Sequence, residues 1–359
     1  MQSYADVFDS YPSQASPPTV TMPLHLTTLS RRDLLTHNMS VRSFSLCLTV
    51  IALAAPLLAQ KTAYKAPRTP DGAPDLQGIW TNQTLTALER PADLAGKQFF
   101  TAAEADAYAK RLVELNNADR RDGGAAADVS RAYNDFWWDR GTKMAPTLRT
   151  SLVIDPKDGK IPALTPEAQK RNADRAAYRR NHASDGPEDR SLAERCLIWP
   201  TGGPPMMPSF YNNNYEFVQS PGYLAIWIEM IHDVRMIPIA ASAKEARAHP
   251  PTNVRLWMGD PVGHWEGDML VVDSTNFTAN NGFRGSGENL HLVERFTRAG
   301  PALVLYEFTM DDPEIFVKPW SVQVPMTRTE GPLLEYACHE GNYAMEGILA
   351  GARKAESAK

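Results

Sequence analysis

The strongest constraint on this chain lies between about residues 205 and 340, where short apolar–polar alternating segments follow one another with turn signals between them. NYEFVQS, YLAIWIEMI, VRMIPI, DMLVVDST, NLHLVERFT, ALVLYEFTM, SVQVPMT and LLEYAC carry the period of two that buries one face of a strand. Ser220-Pro221-Gly222, Gly267-Asp268 and Arg298-Ala299-Gly300-Pro301 read as turns. Strands joined by short turns pair antiparallel, because a parallel crossover needs a longer connection. The region is expected to form an antiparallel meander, closed as a barrel or folded as a sandwich. The 28 prolines agree, since proline removes a backbone donor and interrupts helices.

The preceding part, residues 60–195, reads as helical and loop-rich and packed on that core. Pro74-Asp75-Leu76-Gln77-Gly78-Ile79-Trp80 predicts a short strand anchored by Trp80, and Ser151–Asp155 another, ended by Pro156. Thr101-Ala102-Ala103-Glu104 is a capping box, and Ala105, Tyr108, Leu112 and Leu115 follow as one helical stripe. Thr165-Pro166-Glu167 opens a second, strongly charged helix expected to lie over the surface. The fold class is therefore α+β and β-dominated, with a β domain over 196–345 and a polar tail over 346–359.

Residues 39–59, MSVRSFSLCLTVIALAAPLLA, read as a secretory signal, with Arg42 before an apolar stretch and a cleavage site near Ala59. The apolar run is too short to span a membrane, and no later segment is longer. Residues 1–38 then read as a non-native N-terminal extension. The rival start places Ser30-Arg31-Arg32 in a twin-arginine motif, but Thr36–Ser40 separates it from the apolar run, which favours Met39. The mature chain is expected to be periplasmic or secreted. Cys47 leaves with the signal, so Cys196 and Cys338 remain as an even pair. A disulfide is expected in an oxidising compartment, closing a loop of about 140 residues and contributing ~4 kcal/mol; the alternative is two buried thiols. The formal net charge of -5 offers no basic excess for nucleic acid.

No glycine-rich phosphate loop, nucleophile elbow or paired CxxC is present. Catalytic candidates come instead from polar residues that alternation sets among apolar ones. Glu294 shares a face with Leu290, Leu292 and Phe296, where desolvation would raise its pKa for acid–base work, unless an arginine on a neighbouring strand pairs with it. His232 follows Leu224, Ile226, Ile228 and Met230 on one parity, beside Asp233 and Arg235. Asp273 lies on the Met269–Val271 face just before Ser274-Thr275-Asn276, where it could equally cap a strand-end loop. His339 follows Cys338, and a disulfide would hold it near the 185–200 segment as an acid–base site or part of an ion-pair network. Arg235 or Arg295 would orient an anionic group. Trp199, Tyr211 and Asn213 belong to an aromatic and amide-rich loop that can stack on a sugar ring or plug one barrel end. His232, His291 and His339 show no tight ligand pair, so no metal and no cofactor is expected.

PDLQGIW, DGPEDRSLAERC, EMIHDVRMIP, GHWEGDMLVVDSTNF, ENLHLVERFTR and EYACHEGNY together resemble an uncharacterised family of predicted secreted proteins from soil bacteria. The resemblance implies export and a start at Met39, and brings no activity or site residue with it. The functional expectation is an exported protein that binds a small organic or carbohydrate ligand in a β-domain pocket, with hydrolase, lyase or isomerase chemistry open to it. The alternative is a non-catalytic structural or interaction protein of the cell envelope.

Overall fold

The alternating segments meet edge to edge and leave the sheet no open seam. The computed structural model describes residues 64–121, 123–126, 134–279 and 283–358; the extension expected over 1–38 and the signal over 39–59 lie outside them. The strands are β1 (Gly78–Thr81), β2 (Val153–Asp155), β3 (Asn214–Ser220), β4 (Tyr223–Ile228), β5 (Val234–Ala240), β6 (Asp260–Glu266), β7 (Met269–Thr275), β8 (His291–Gly300), β9 (Leu303–Asp311) and β10 (Trp320–Arg328). β1 and β3 to β10 form a closed nine-stranded barrel, with β2 as an extra strand on β10. β10 carries both the closure and the extra strand: Thr327 and Arg328 pair with β1, while Ser321 and Val322 pair with β2.

Two features of the sheet differ from the expected meander. β5 and β6 run parallel, with Ile239 opposite Gly263 and Ala240 opposite His264. The connection 241–259 is long enough to carry the chain back to the end where β5 began. β6 itself, DPVGHWE, hides its alternation behind a proline and a glycine. Gly263 lets the two strands come close there: a Cβ would lie 3.1 Å from the Pro238 carbonyl oxygen and 3.2 Å from the Ile237 side chain, so β5 would have to give slightly to admit one. The second difference is LLEYAC, which forms no strand. Closure by β1 leaves the barrel without an edge for it to join.

Inward positions of successive strands fill the barrel. Tyr215, Phe217, Leu224, Ile226, Ile237, Leu270, Val272, Phe296, Tyr306, Phe308, Val322 and Val324 are all buried in one cluster. Each large apolar side chain removed from water contributes roughly 1.5–3 kcal/mol. Both ends are stoppered. At one end Trp199, Met206 and Met207 join the core, and the Met206 amide donates to the Tyr306 hydroxyl over 3.1 Å. At the other, Trp80 is fully buried beneath the Arg298 guanidinium, 5.1 Å from its ring centroid. Arg298 donates to the carbonyls of Asp75 and Pro301.

The helices sit outside the sheet. In α1 (Ala102–Asn116) the Thr101–Glu104 capping box is formed, and Ala105 and Ala109 pack with Phe100 and Met144 in a separate small cluster. Leu115 falls off the end of that stripe and is exposed. α2 (Pro166–His182) buries Ala168 and leaves its charged body in solvent. The segment expected as a polar tail is a helix, α3 (Tyr343–Ser357). Its Met345, Ile348, Leu349 and Ala352, at helical spacing, are half-buried. Arg353 fastens it by donating to the carbonyls of Ser184 and Asp185.

Candidate functional site

Three polar clusters gather the candidate residues, and they lie in different places. The first is sealed inside the barrel. Glu294 is 0% exposed and forms a two-pronged ion pair with Arg235 across β5 and β8, at 2.9 and 2.6 Å. Arg235 also donates to Ser274 Oγ at 2.8 Å, and the Tyr306 hydroxyl donates to Glu294 at 2.8 Å. Burial pushes the Tyr306 hydroxyl well above the ordinary tyrosine value, and the charge of Glu294 adds to the effect. Tyr306 in turn receives the Met206 amide, so the network ties four strands, β5, β7, β8 and β9, to the plug loop. Arg235 has spent both terminal nitrogens here, which leaves them no reach toward a ligand outside the barrel.

The second cluster lies on the outer flank, where β6, β7 and β8 present Asp260, Asp273 and His291 near one barrel end. His291 Nε2 is 2.7 Å from Asp273 Oδ2, and His249 Nε2 is 3.0 Å from Asp273 Oδ1. His249 Nδ1 is 2.7 Å from Asp260 Oδ2, and Arg247 holds both oxygens of Asp260 at 2.9 and 2.6 Å. Burial pushes the Asp273 carboxyl up, but hydrogen bonds and charge from His291 and His249 outweigh it and hold it below the usual aspartate value. Asp260 is held low in the same way by Arg247 and His249 against its own desolvation. The hydrogen bond to Asp273 raises His291 above the ordinary imidazole value, against desolvation and with help from the charges of Asp273 and Asp311.

These directions set a pH window. A raised imidazole contributes stability fully below its unfolded value, near about 6.5, and loses it as pH climbs through the folded value. A depressed carboxylate contributes above its unfolded value, near about 3.9, and loses it as pH falls through the folded one. The His291–Asp273 pair should therefore support the fold most between about pH 4 and 6.5. Both side chains are over a third exposed, 44% and 37%, so solvent screening keeps the contribution under ~1 kcal/mol. Urea unfolding of the native chain and His291→Gln, followed from about pH 5 up to about pH 9, should show a difference that shrinks toward alkaline pH; a pH-independent difference over that span would contradict the pairing.

The third cluster is a cleft of about 420 Å³ beside the Glu229–Asp233 turn. Cys196 and Cys338 form a disulfide, with Cα atoms 5.8 Å apart, that draws the 335–340 segment against the turn. Glu229 completes the clamp. Its carboxylate, 1% exposed, accepts the amides of Asn214 and Leu334, while its carbonyl accepts the His232 amide. His232, Asp233, Glu335, Tyr336, His339 and Glu340 line the resulting space. Parity alone would send the His232 ring inward. Instead Ile231 and His232 both take left-handed backbone, at φ 66° and 62°, and the ring packs edge-on to Trp227 on the outer face, 4.8 Å between centroids. His232 Nδ1 is buried without a hydrogen-bond partner among the described residues.

The structure thus brings His232 and His339 together and leaves Asp273 and Glu294 elsewhere. Arg295 lies on the outer face of β8, directed at Thr309, and opposes Glu307 in register. Trp199 belongs to the plug, with Tyr211 at 6.3 Å from its ring. Asn213 is 1% exposed; its amide donates to the Asp139 and Ser209 carbonyls and its oxygen accepts the Ser209 amide. The Asp185–Arg190 stretch does not join His339: Arg190 instead pairs with Glu194, and Asn342 donates to the Glu194 carbonyl. Among the described residues, no group of three or more His, Cys, Asp or Glu is placed to hold a metal ion.

Sequence reasoning passed over Glu229, although a carboxylate inside the apolar run YLAIWIEMI was its visible signal. Arg247, His249 and Asp260 gave less warning, since they sit in or beside an irregular crossover with no period to set them apart. No helix among the described residues is long and apolar enough to cross a membrane. No family model, curated protein or solved structure matches the chain.

Proposed function

We propose that this protein acts outside the cytoplasm and binds a small organic ligand, hydroxyl-rich or amine-bearing, in the cleft between the Glu229–Asp233 turn and the 335–340 segment. The observation that carries the reading is where backbone strain collects. Seven described non-glycine residues have left-handed backbone, and three of them, Cys196, Ile231 and His232, line this one cleft. Left-handed backbone costs a residue with a Cβ roughly 1–2 kcal/mol, most awkwardly for a β-branched isoleucine. Such strain persists where a site needs it.

The lining suits donors on the ligand. Asp233, Glu335 and Glu340 supply carboxylate acceptors, the two imidazoles can give or take a proton, and among the described residues no lysine or arginine lines the cleft. Hydrolysis, elimination or isomerisation would each use His232 and His339 as an acid–base pair. The disulfide and the resemblance to secreted proteins support an oxidising location, periplasmic or secreted. The second reading, a non-catalytic envelope interaction protein, draws on Phe136 and Trp137, adjacent aromatics 83% and 62% exposed.

A thermal-shift screen of the full chain against sugars, polyols, amines and carboxylic acids tests the proposal. Hits are expected among the first three classes. His232→Gly relieves the left-handed strain and should match or exceed native stability by up to ~1 kcal/mol, yet lose the ligand shift. Hits that stabilise His232→Gly as well as the native chain would remove the cleft from consideration.

A further inference from the structure

The geometry points to a proton-operated latch: protonated His249 fastens the β5–β6 crossover, residues 241–259, to the barrel flank, and loss of one ring proton loosens it. This inference is independent of the ligand proposed for the cleft.

It starts from donor counting. His249 has a carboxylate oxygen at each ring nitrogen, Asp260 at 2.7 Å and Asp273 at 3.0 Å. An ionised carboxylate only accepts, and a neutral imidazole has one N–H. Both contacts are hydrogen bonds only when the ring carries two protons. Once one leaves, a ring lone pair faces a carboxylate lone pair, and that contact turns from attraction to repulsion. The carboxylates will not supply the missing proton near neutral pH, because both are held below their usual value.

Every charged neighbour acts in this balance. Arg247, on the same crossover, grips Asp260 and pulls against His249 for it. Tyr223 on β4 lies near Arg247, close enough for its phenol to influence that guanidinium. Asp260 comes from β6, Asp273 from β7, His291 from β8 and Asp311 from β9, beside His291. With both rings neutral, three aspartates face a single guanidinium; with both rings protonated, the charges balance. Protonation therefore closes the patch and deprotonation leaves it self-repelling.

The latch also sits where the barrel has least else to hold it. The crossover joins the one parallel strand pair among the described residues, which has two residue pairs in register, whereas β6 and β7 have seven. Asn276 donates to the Pro250 carbonyl and Arg255 to the Phe277 carbonyl, so the loop retains anchors when the latch opens. At its far end Met258 shares a small cavity with Ile231 and Asp233, whose other sides wall the cleft. Loosening the crossover thus reaches one wall of that cleft.

Hydrogen exchange of the full chain, followed by mass spectrometry and corrected for intrinsic pH dependence, reads the latch directly. Peptides covering 241–259 should be roughly tenfold better protected at about pH 5 than at about pH 8, a larger change than barrel-strand peptides show through overall stability. In His249→Gln, whose single side-chain amide cannot donate to both carboxylates in the same geometry, that difference should disappear. A native crossover whose protection does not change with pH, or a change that survives in His249→Gln, would overturn the inference. Should that variant fold poorly, ring ¹⁵N shifts of the native chain decide. The protection change must follow the loss of a His249 ring proton, and a mismatch between the two would overturn the latch equally.

Discussion

Replacing Glu294 with alanine is expected to lower the unfolding free energy by about 3–5 kcal/mol. The variant strands the Arg235 guanidinium inside the barrel, 4% exposed, with Ser274 as its remaining side-chain partner. A buried cation without its counter-ion loses hydration and Coulomb attraction together, so the loss exceeds that of a surface pair several-fold. The Tyr306 hydroxyl also loses its acceptor, and through Met206 the plug loop is disturbed. Changing both partners at once, Arg235→Met with Glu294→Leu, removes the charges as well as the bond. The double variant should recover most of the loss. Urea unfolding at constant slope checks both. A single variant within about 1 kcal/mol of the native chain would mean that the pair is solvated in a way its burial does not suggest.

Removing the disulfide with Cys196→Ala and Cys338→Ala should cost about 2–5 kcal/mol. The bond spans a sequence separation of 142 residues, long enough for a large loop-closure contribution to the unfolded chain. Its local effect is the more informative one. The 335–340 segment lacks a strand partner and is held by the disulfide, the Leu334 amide on Glu229 and Asn342 on the Glu194 carbonyl. Without the disulfide, exchange protection over 333–342 should fall while protection of β8 and β9 persists in proportion to overall stability. Equal loss everywhere would assign the bond a global role and none in shaping the cleft.

How far this could be read beforehand follows from how each feature is encoded. Strands such as His291–Gly300 and Leu303–Asp311 carry their fold locally, because alternation names the buried face residue by residue. The capping box at Thr101 is equally local. Closure by β1 is different: Trp80 pairs with Tyr215 and Arg328, partners far along the chain that no nearby pattern specifies. β6 was hidden because Pro261 and Gly263 are turn-formers taken out of context.

The site divides along the same line. Alternation correctly separated Glu294 from its outward neighbours His291 and Arg295; an arginine does pair with it, but Arg235 reaches it from β5 across the barrel and not from a neighbouring strand. It failed at His232, because two left-handed residues interrupt the strand period at that turn. The cleft itself arises from a disulfide, a buried Glu229 clamp and a segment with no period at all. None of these is a local property of the sequence. The flank latch likewise joins a loop histidine to residues on two strands, β6 and β7, a contact set by where the crossover lands.

A crystallographic fragment soak of the native chain decides whether the cleft is a binding site, because it asks where small molecules settle without presuming which one. Hydroxyl- and amine-bearing fragments are expected to concentrate in the cleft, with a polar atom within hydrogen-bond distance of the exposed edge of the His232 ring or of the His339 ring. Fragments that occupy other surfaces while the cleft, free of lattice neighbours, stays filled by solvent would contradict it.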